Sequence, residues 1–238
     1  MDKVIVITGC AQGIGRAIAE AYLFNHDIVF GIDKEVCSLE GIHHYVGDLS
    51  SDIEREYFVE TIFEKVDHID VIINNAMEYH AGILSALDIK GFRNALEVGV
   101  VAPFHLVALL KEGMSLGSSI INIVSTRAFQ TQKNNEAYAS AKGALNSLTI
   151  ALANSLGPTI RVNAIAPGWI NTKQEELSKE DINQHPLHRV GEVKDIVDAV
   201  KFLSSEEAKF ITGQTLIIDG GMSKQMIYHN DEGWIYTK

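Results

Sequence analysis

The sequence predicts an α/β fold: a doubly wound, parallel seven-stranded sheet with helices on both faces, in a single domain spanning residues 1–238. Three observations carry this. Seven short apolar runs alternate with amphipathic segments of helix length, and a βαβαβ order is met by parallel strands joined through crossover helices. The runs are continuously apolar, as in Val4-Ile5-Val6-Ile7, which is the pattern of strands covered on both faces. The first run ends in a glycine-rich turn, Gly9-Cys10-Ala11-Gln12-Gly13-Ile14-Gly15, that opens directly into a helix.

Composition narrows the possibilities. An apolar content of 46% with 21% charged residues suits a globular chain. The formal net charge of −11, with no basic stripe, argues against a nucleic-acid partner, because phosphate binding needs clustered Lys and Arg. Cys10 and Cys37 lack metal-ligand spacing and read as small buried residues, and the scattered histidines form no HxH or HxxxH pair, so no metal site is expected. Met1-Asp2-Lys3 leads into an apolar run too short for a signal peptide. The stretch Val98–Leu110, interrupted by Pro103 and His105, reads as too short to cross a bilayer. A soluble, cytoplasmic protein with no membrane partner is expected.

Taken in order, the elements place candidate ligand-binding groups at strand ends. Glycines at the first strand-to-helix turn let the backbone approach a phosphate pair, and the helix N-terminus favours its charge; this marks Gly9, Gln12, Gly13, Ile14 and Gly15. The second run, Ile28–Ile32, ends at Asp33, which can accept hydrogen bonds from ribose hydroxyls and would repel a 2′-phosphate. Asp33 thus favours NAD over NADP, with Lys34 as the counter-signal. The third run, Ile42–Val46, leads to Asp48, a candidate partner for adenine, and Leu49. Ser50-Ser51-Asp52 caps a helix expected to turn Ile53, Tyr57, Ile62 and Val66 inward. The fourth run, Ile69–Ile73, closes in Asn74-Asn75-Ala76, and a helix capped by Asp88 is expected over Ile89–Lys111.

The fifth run, Ile120–Ser125, puts Ser125 at a strand's carboxyl end, the edge where open parallel sheets bind ligands. The next helix, Glu136–Leu156, carries Tyr138 and Lys142 four residues apart, on one face. A phenol with a pKa of about 10 is a poor base at neutral pH, and a neighbouring cation pulls that value down. A sixth run (Ile160–Ile165), Pro167-Gly168, a polar stretch to Arg189, a helix (Val193–Leu203) and a last strand (Leu216–Ile218) complete the sheet. The tail, residues 222–238, carries Met226, Tyr228, Trp234 and Tyr236, which suggests docking on this subunit or a neighbour.

Together, Thr8-Gly9…Gly13-Ile14-Gly15, Asn74-Asn75-Ala76, Ser125, Tyr138…Lys142, Pro167-Gly168-Trp169-Ile170-Asn171-Thr172 and Ile211–Gly221 resemble the short-chain dehydrogenase/reductases over essentially the whole chain. The resemblance implies a Rossmann fold and an NAD(P)-dependent oxidoreductase. In it Tyr138 is the acid/base, Lys142 holds the nicotinamide ribose and lowers the pKa of Tyr138, and Ser125 positions the reacting oxygen. It also implies that Asn75, Ala76, Pro167, Gly168, Ile170 and Thr172 lie along the cofactor, and that the chain forms a homodimer or homotetramer.

Two positions depart from the family pattern. Met77 stands where Gly usually follows Asn-Asn-Ala, and Gly99 stands where an Asn usually anchors a water in a proton relay. Gly99 is expected to leave a void that a second water fills. A substrate pocket is expected from Thr126, Arg127, Gln130 and Gln132, with Met77, Glu78, Tyr79 and His80 opposite and a lid from Trp169 to His188. Its polarity favours a sugar or polyol, while Arg127 could instead pair with a carboxylate. Competing readings are an NADPH-dependent 3-oxoacyl-type reductase and, given Gly99, a low-turnover NAD-binding regulator.

Overall fold

The first strand, β1 (Val4–Thr8), shows why the sheet is covered on both faces. Successive side chains of a strand point to opposite faces, and here Val4 and Val6 enter one core while Ile5 and Ile7 enter the other. All are fully buried, and each such aliphatic side chain contributes roughly 1.5–3 kcal/mol by leaving water. The computed structural model describes residues 2–85, 88–231 and 235.

The remaining strands are β2 (Ile28–Asp33), β3 (His43–Val46), β4 (Ile69–Asn74), β5 (Met114–Ile123), β6 (Arg161–Pro167) and β7 (Thr215–Ile218). They pair in parallel in the order β3-β2-β1-β4-β5-β6-β7. One core is closed by α2 (Asp52–Phe63), α4 (Ala102–Leu110) and α5 (Glu136–Leu156). The other is closed by α1 (Gly13–Leu23) and α7 (Val193–Leu203). Strand order reverses between β1 and β4, and a crevice opens beyond their carboxyl ends, where this topology binds ligands. The sequence-derived architecture is therefore the observed one.

Several local expectations need correction. The inward stripe of α2 is Arg55, Phe58, Val59 and Ile62, whereas Ile53 and Tyr57 face solvent. The reason is Arg55, which is fully buried because its guanidinium finds the Leu49 carbonyl, Asp52, Glu97 Oε1 at 3.0 Å and His105 Nδ1 at 3.1 Å. A charge so satisfied can sit inside, and the helix rotates to suit it. The long helix after Asp88 is not continuous α. It runs as α3 (Ile89–Leu96), a π-helical turn over Glu97–Val101, and then α4.

The longer helical run Ile89–Gly113, at 25 residues, is apolar enough to cross a membrane by length and composition alone. Its stripe of Ala95, Val98, Ala102, Leu106 and Leu110 is nevertheless buried within the protein. β5 begins at Met114, earlier than expected, and Ser125 lies beyond its end as the cap of a 3₁₀ turn, Thr126–Ala128. A short helix, α6 (Lys179–Asn183), interrupts the expected polar stretch, closed by a capping box between Ser178 and Asp181. Cys10 and Cys37 are free and buried, as expected. Met226 and Tyr228 of the tail are exposed, and Trp234 and Tyr236 lie outside the described residues.

Candidate active site

The glycine turn is built for close approach. Gly9 has φ +72°, and a Cβ there would come within 2.9 Å of the Ala76 backbone. A Cβ on Gly15 would strike the Gly9 carbonyl and the Asn75 amide. Gly15 therefore packs helix against strand, while Gly13 (φ +57°) makes the turn. Thr8 locks the loop from below, because its Oγ1 accepts N–H bonds from both Asn75 and Ala76 at 3.0 Å. The Asn75 side-chain amide donates to the carbonyls of Thr8 (3.1 Å) and Gly9 (3.0 Å). α1 begins after Gln12 with no side-chain cap and no acidic residue in its first turn, so its free N–H groups suit an anion.

Two cavities meet at this turn, sharing Asn75 and Met77 as a common wall. The smaller, of about 350 Å³, is lined by Gly9, Gln12, Asp33, Lys34, Leu49 and Ala76 among others. The larger, of about 670 Å³, is lined by Ile14, Ser125, Tyr138, Lys142 and the Pro167–Ile170 strand end, with Thr172. An uncapped helix N-terminus between an acid-tipped recess and a tyrosine-bearing one fits a dinucleotide.

Most sequence-derived residues line this path; Gly13 and Gly15 shape the turn without lining either cavity, Asp48 lines neither, and one group is placed elsewhere. Asp48 does not line the smaller cavity, because Ser50 N–H (2.8 Å) and Lys34 Nζ (3.3 Å) engage its carboxylate. Glu78, Tyr79 and His80 do not line the larger cavity. Glu78 sits at the other end, bonded to Lys34 and Asn94; His80 lies between Glu78 (3.5 Å) and Asp88 (3.6 Å); Tyr79 faces solvent. Gln184, from within the expected lid, and Met222, from the tail, also line the larger cavity; neither is singled out by a motif in the sequence. They reach it across distances that no local motif records.

A buried polar chain seats α5 on the sheet. The Asn74 amide donates to Asn122 Oδ1 (2.8 Å), whose own amide donates to Thr149 Oγ1 (2.9 Å), which in turn donates to the Leu145 carbonyl (2.9 Å). Buried hydrogen-bond chains of this kind fix register, and this one helps hold Tyr138 and Lys142 at the crevice, although the Asn74 side-chain oxygen has no partner. Ser125 is buried, and its Oγ accepts the Arg127 N–H at 3.1 Å. Lys142, also buried, donates from Nζ to the Ile123 carbonyl at 2.6 Å and stands 5.7 Å from the centroid of the Tyr138 ring.

The electrostatics differ from the sequence expectation. Burial pushes the Tyr138 phenol above its ordinary value, opposed by the hydrogen bond from Ser125 and the charge of Arg127. Lys142 lies beside the Tyr138 ring, 5.7 Å from its centroid. Its ammonium is aimed at a main-chain carbonyl, and burial lowers its own pKa to about 8.

The expected void at Gly99 is also absent. A Cβ there would lie 2.9 Å from Met77 Sδ and 3.1 Å from Ala141 Cβ, so the thioether of Met77 occupies the space that a side chain at 99 would need. The two departures from the family pattern compensate each other sterically, large for small at 77 and small for large at 99. Gly99→Asn is expected to destabilise the chain by about 1–3 kcal/mol through overpacking. Met77→Gly in the same chain is expected to recover at least about 0.5 kcal/mol beyond additivity, measured by urea denaturation in a double-mutant cycle. Additive costs would show that the two sites do not share the space.

A family profile described as enoyl-(acyl carrier protein) reductase matches residues 9–223. An oxidoreductase of Thermotoga maritima is 36% identical over 252 aligned positions, covering 95% of this chain and 98% of its own. Among solved structures, an apo SCOR enzyme from Clostridium thermocellum superposes with a TM-score of 0.91 at 43% identity, over 100% of both chains. The ligand-free aldohexose dehydrogenase of Thermoplasma acidophilum gives 0.90 at 29% identity, over 97% of each. Other similar structures hold NADH or NADPH. With motif order, sheet topology and these likenesses in agreement, the chain belongs to the short-chain dehydrogenase/reductases, oxidoreductases that act on alcohol and ketone groups with a nicotinamide cofactor.

Proposed function

We propose that this protein transfers hydride between NAD and a polar secondary alcohol or its ketone, with Tyr138 as acid/base. The observation that supports the reading is that Ser125, Tyr138 and Lys142 line one cleft, which shares the wall of Asn75 and Met77 with the Asp33 recess. When bound, the nicotinamide supplies the hydride acceptor or donor. In the oxidative direction Tyr138 takes the hydroxyl proton. Ser125, oriented by the Arg127 N–H, holds the reacting oxygen in register. Lys142 presents a buried cation at the base of the cleft, where a ribose would lie.

Asp33 supports NAD. Its two oxygens already accept N–H bonds from Ala11 (2.9 Å) and Glu35 (3.0 Å), which fixes the carboxylate at the recess. Lys34, the sequence's counter-signal, is committed to Asp48 and Glu78, so a 2′-phosphate would meet a carboxylate with the neighbouring cation already neutralised. Asp33→Ser is expected to shift the NADP-to-NAD ratio of kcat/KM by about 10–100-fold, the value of one or two charge-assisted hydrogen bonds. An unchanged ratio would move the discrimination elsewhere.

One observation favours the competing reading of a low-turnover regulator: Met77 puts a thioether where a polar group would hand protons on. Separate titrations with NAD and NADP, followed by a panel of sugars, polyols and hydroxy acids read at the reduced-nicotinamide absorbance, distinguish them. Sustained turnover with NAD supports the dehydrogenase. Tight NAD binding with no turnover of any alcohol supports the regulator.

A further inference from the structure

The cleft holding Tyr138 differs in charge from the rest of the molecule. The chain carries a formal net charge of −11, yet among the described residues no Asp or Glu lines this cleft, while Lys142 and Arg127 both do. Lys142 is buried and bonded to the Ile123 carbonyl. Arg127 is half-buried, and none of the ion pairs among the described residues includes it. Its guanidinium donates from Nη2 to a neutral amide oxygen, Gln132 Oε1, at 3.1 Å. Arg55 and Arg189 each pair with a carboxylate, whereas Arg16, Arg93 and Arg161, which also lack an ion pair among the described residues, do not line this cleft. A guanidinium carries five donors in a fork that matches a carboxylate. In a chain with this excess of acid, an arginine facing a cleft without a counter-ion leaves that place to a ligand.

Its position relates the charge to the chemistry. Arg127 sits in the 3₁₀ turn capped by Ser125, and its own N–H is bonded to Ser125 Oγ. A group held by this side chain is therefore registered against the hydroxyl that holds the reacting oxygen. We infer that the substrate is a hydroxy acid, or the corresponding oxo acid, whose carboxylate pairs with Arg127 while its carbinol or carbonyl oxygen lies between Ser125 and Tyr138. The inference rests on the dehydrogenase reading above and narrows its substrate from polar alcohols in general to acidic ones. In the oxidative direction the carbinol C–H bond breaks with its electron pair going to the nicotinamide, the hydroxyl proton goes to Tyr138, and the carboxylate is unchanged. A neutral sugar or polyol could accept N–H bonds from the guanidinium but would bring no countercharge to it.

The test uses the full chain and matched pairs: gluconate with glucitol, tartrate with threitol, 3-hydroxybutyrate with 3-hydroxybutyramide, and mandelate with mandelamide. Binding to the enzyme–NADH complex is read by cofactor fluorescence, and turnover with NAD is read separately. The expected result is that at least one acid binds about tenfold or more tighter than its neutral partner. Arg127→Gln should erase that preference and Arg127→Lys restore part of it, since an ammonium keeps the charge without the fork. NADH affinity reports whether each variant is folded. The inference is overturned if no acid of the panel is preferred over its neutral partner, or if Arg127→Gln keeps the preference. If neutral alcohols turn over while acids gain nothing, the dehydrogenase reading survives and the acid assignment does not. If acids bind through Arg127 but no alcohol turns over, the reverse holds.

Discussion

Tyr138→Phe is expected to lower kcat/KM for alcohol oxidation by roughly 10²–10⁴-fold, the usual share of a positioned general acid/base, with NADH binding within about twofold of wild type. The substitution removes one oxygen and leaves the ring that packs at the start of α5. Its effect should therefore fall on the chemical step and not on folding. Ser125 makes the result interpretable. Its hydroxyl remains in Tyr138→Phe, held by the Arg127 N–H, so residual activity measures what positioning alone supplies. The wild-type pH profile should rise toward alkaline pH in the oxidative direction, because burial holds the phenol up and Ser125 and Arg127 only partly offset it. Activity independent of Tyr138 would place the proton acceptor elsewhere.

Lys142→Met is expected to remove activity and, at neutral pH, to make the ligand-free protein more stable. A lysine whose pKa falls from 10.5 to about 8 through burial destabilises the fold by about 3 kcal/mol whenever both states would carry the proton. Losing its hydrogen bond to the Ile123 carbonyl returns about 1 kcal/mol of that, so a net gain of about 2 kcal/mol is expected. The sign follows from proton counts. Between about pH 8 and 10.5 the unfolded chain holds the proton and the native one sheds it, so wild-type stability rises with pH through that window. The variant lacks the slope, so its advantage of about 2 kcal/mol below pH 8 should reverse to a deficit of about 1 kcal/mol above pH 10.5, where only the lost hydrogen bond remains. Denaturant melts at several pH values check this. An equal offset at every pH would mean that Lys142 is not the group responsible.

How much of this was legible in the sequence depended on whether the signal was local. The seven strands, the helix order and the glycine turn could be read because each follows from periodicity or a turn within a few residues. Tyr138 and Lys142 could be read because four residues make one helical face, and Asp33 because it ends a strand. What could not be read depends on contacts between distant segments. Arg55 turns α2 by pairing with Glu97, far along the chain. Met77 fills the space at Gly99 because β4's exit loop crosses the π turn, and no spacing rule ties position 77 to 99. Glu78 reaches Lys34 in the same way, which moved it from the substrate pocket to the adenosine end. The four-residue spacing puts Lys142 on the same helix face as Tyr138, but its burial and its direction toward Ile123 are set by α5 lying on β5, a tertiary fact.

The central claim is that this cleft moves hydride between a secondary alcohol and NAD, and isotope transfer tests it most directly. An active alcohol deuterated at the carbinol carbon, incubated with wild-type protein and NAD, should yield NADH carrying that deuterium on one face of the nicotinamide, and Tyr138→Phe should yield almost none. Reduced cofactor without deuterium, or equal transfer by the Tyr138→Phe variant, would contradict the assignment.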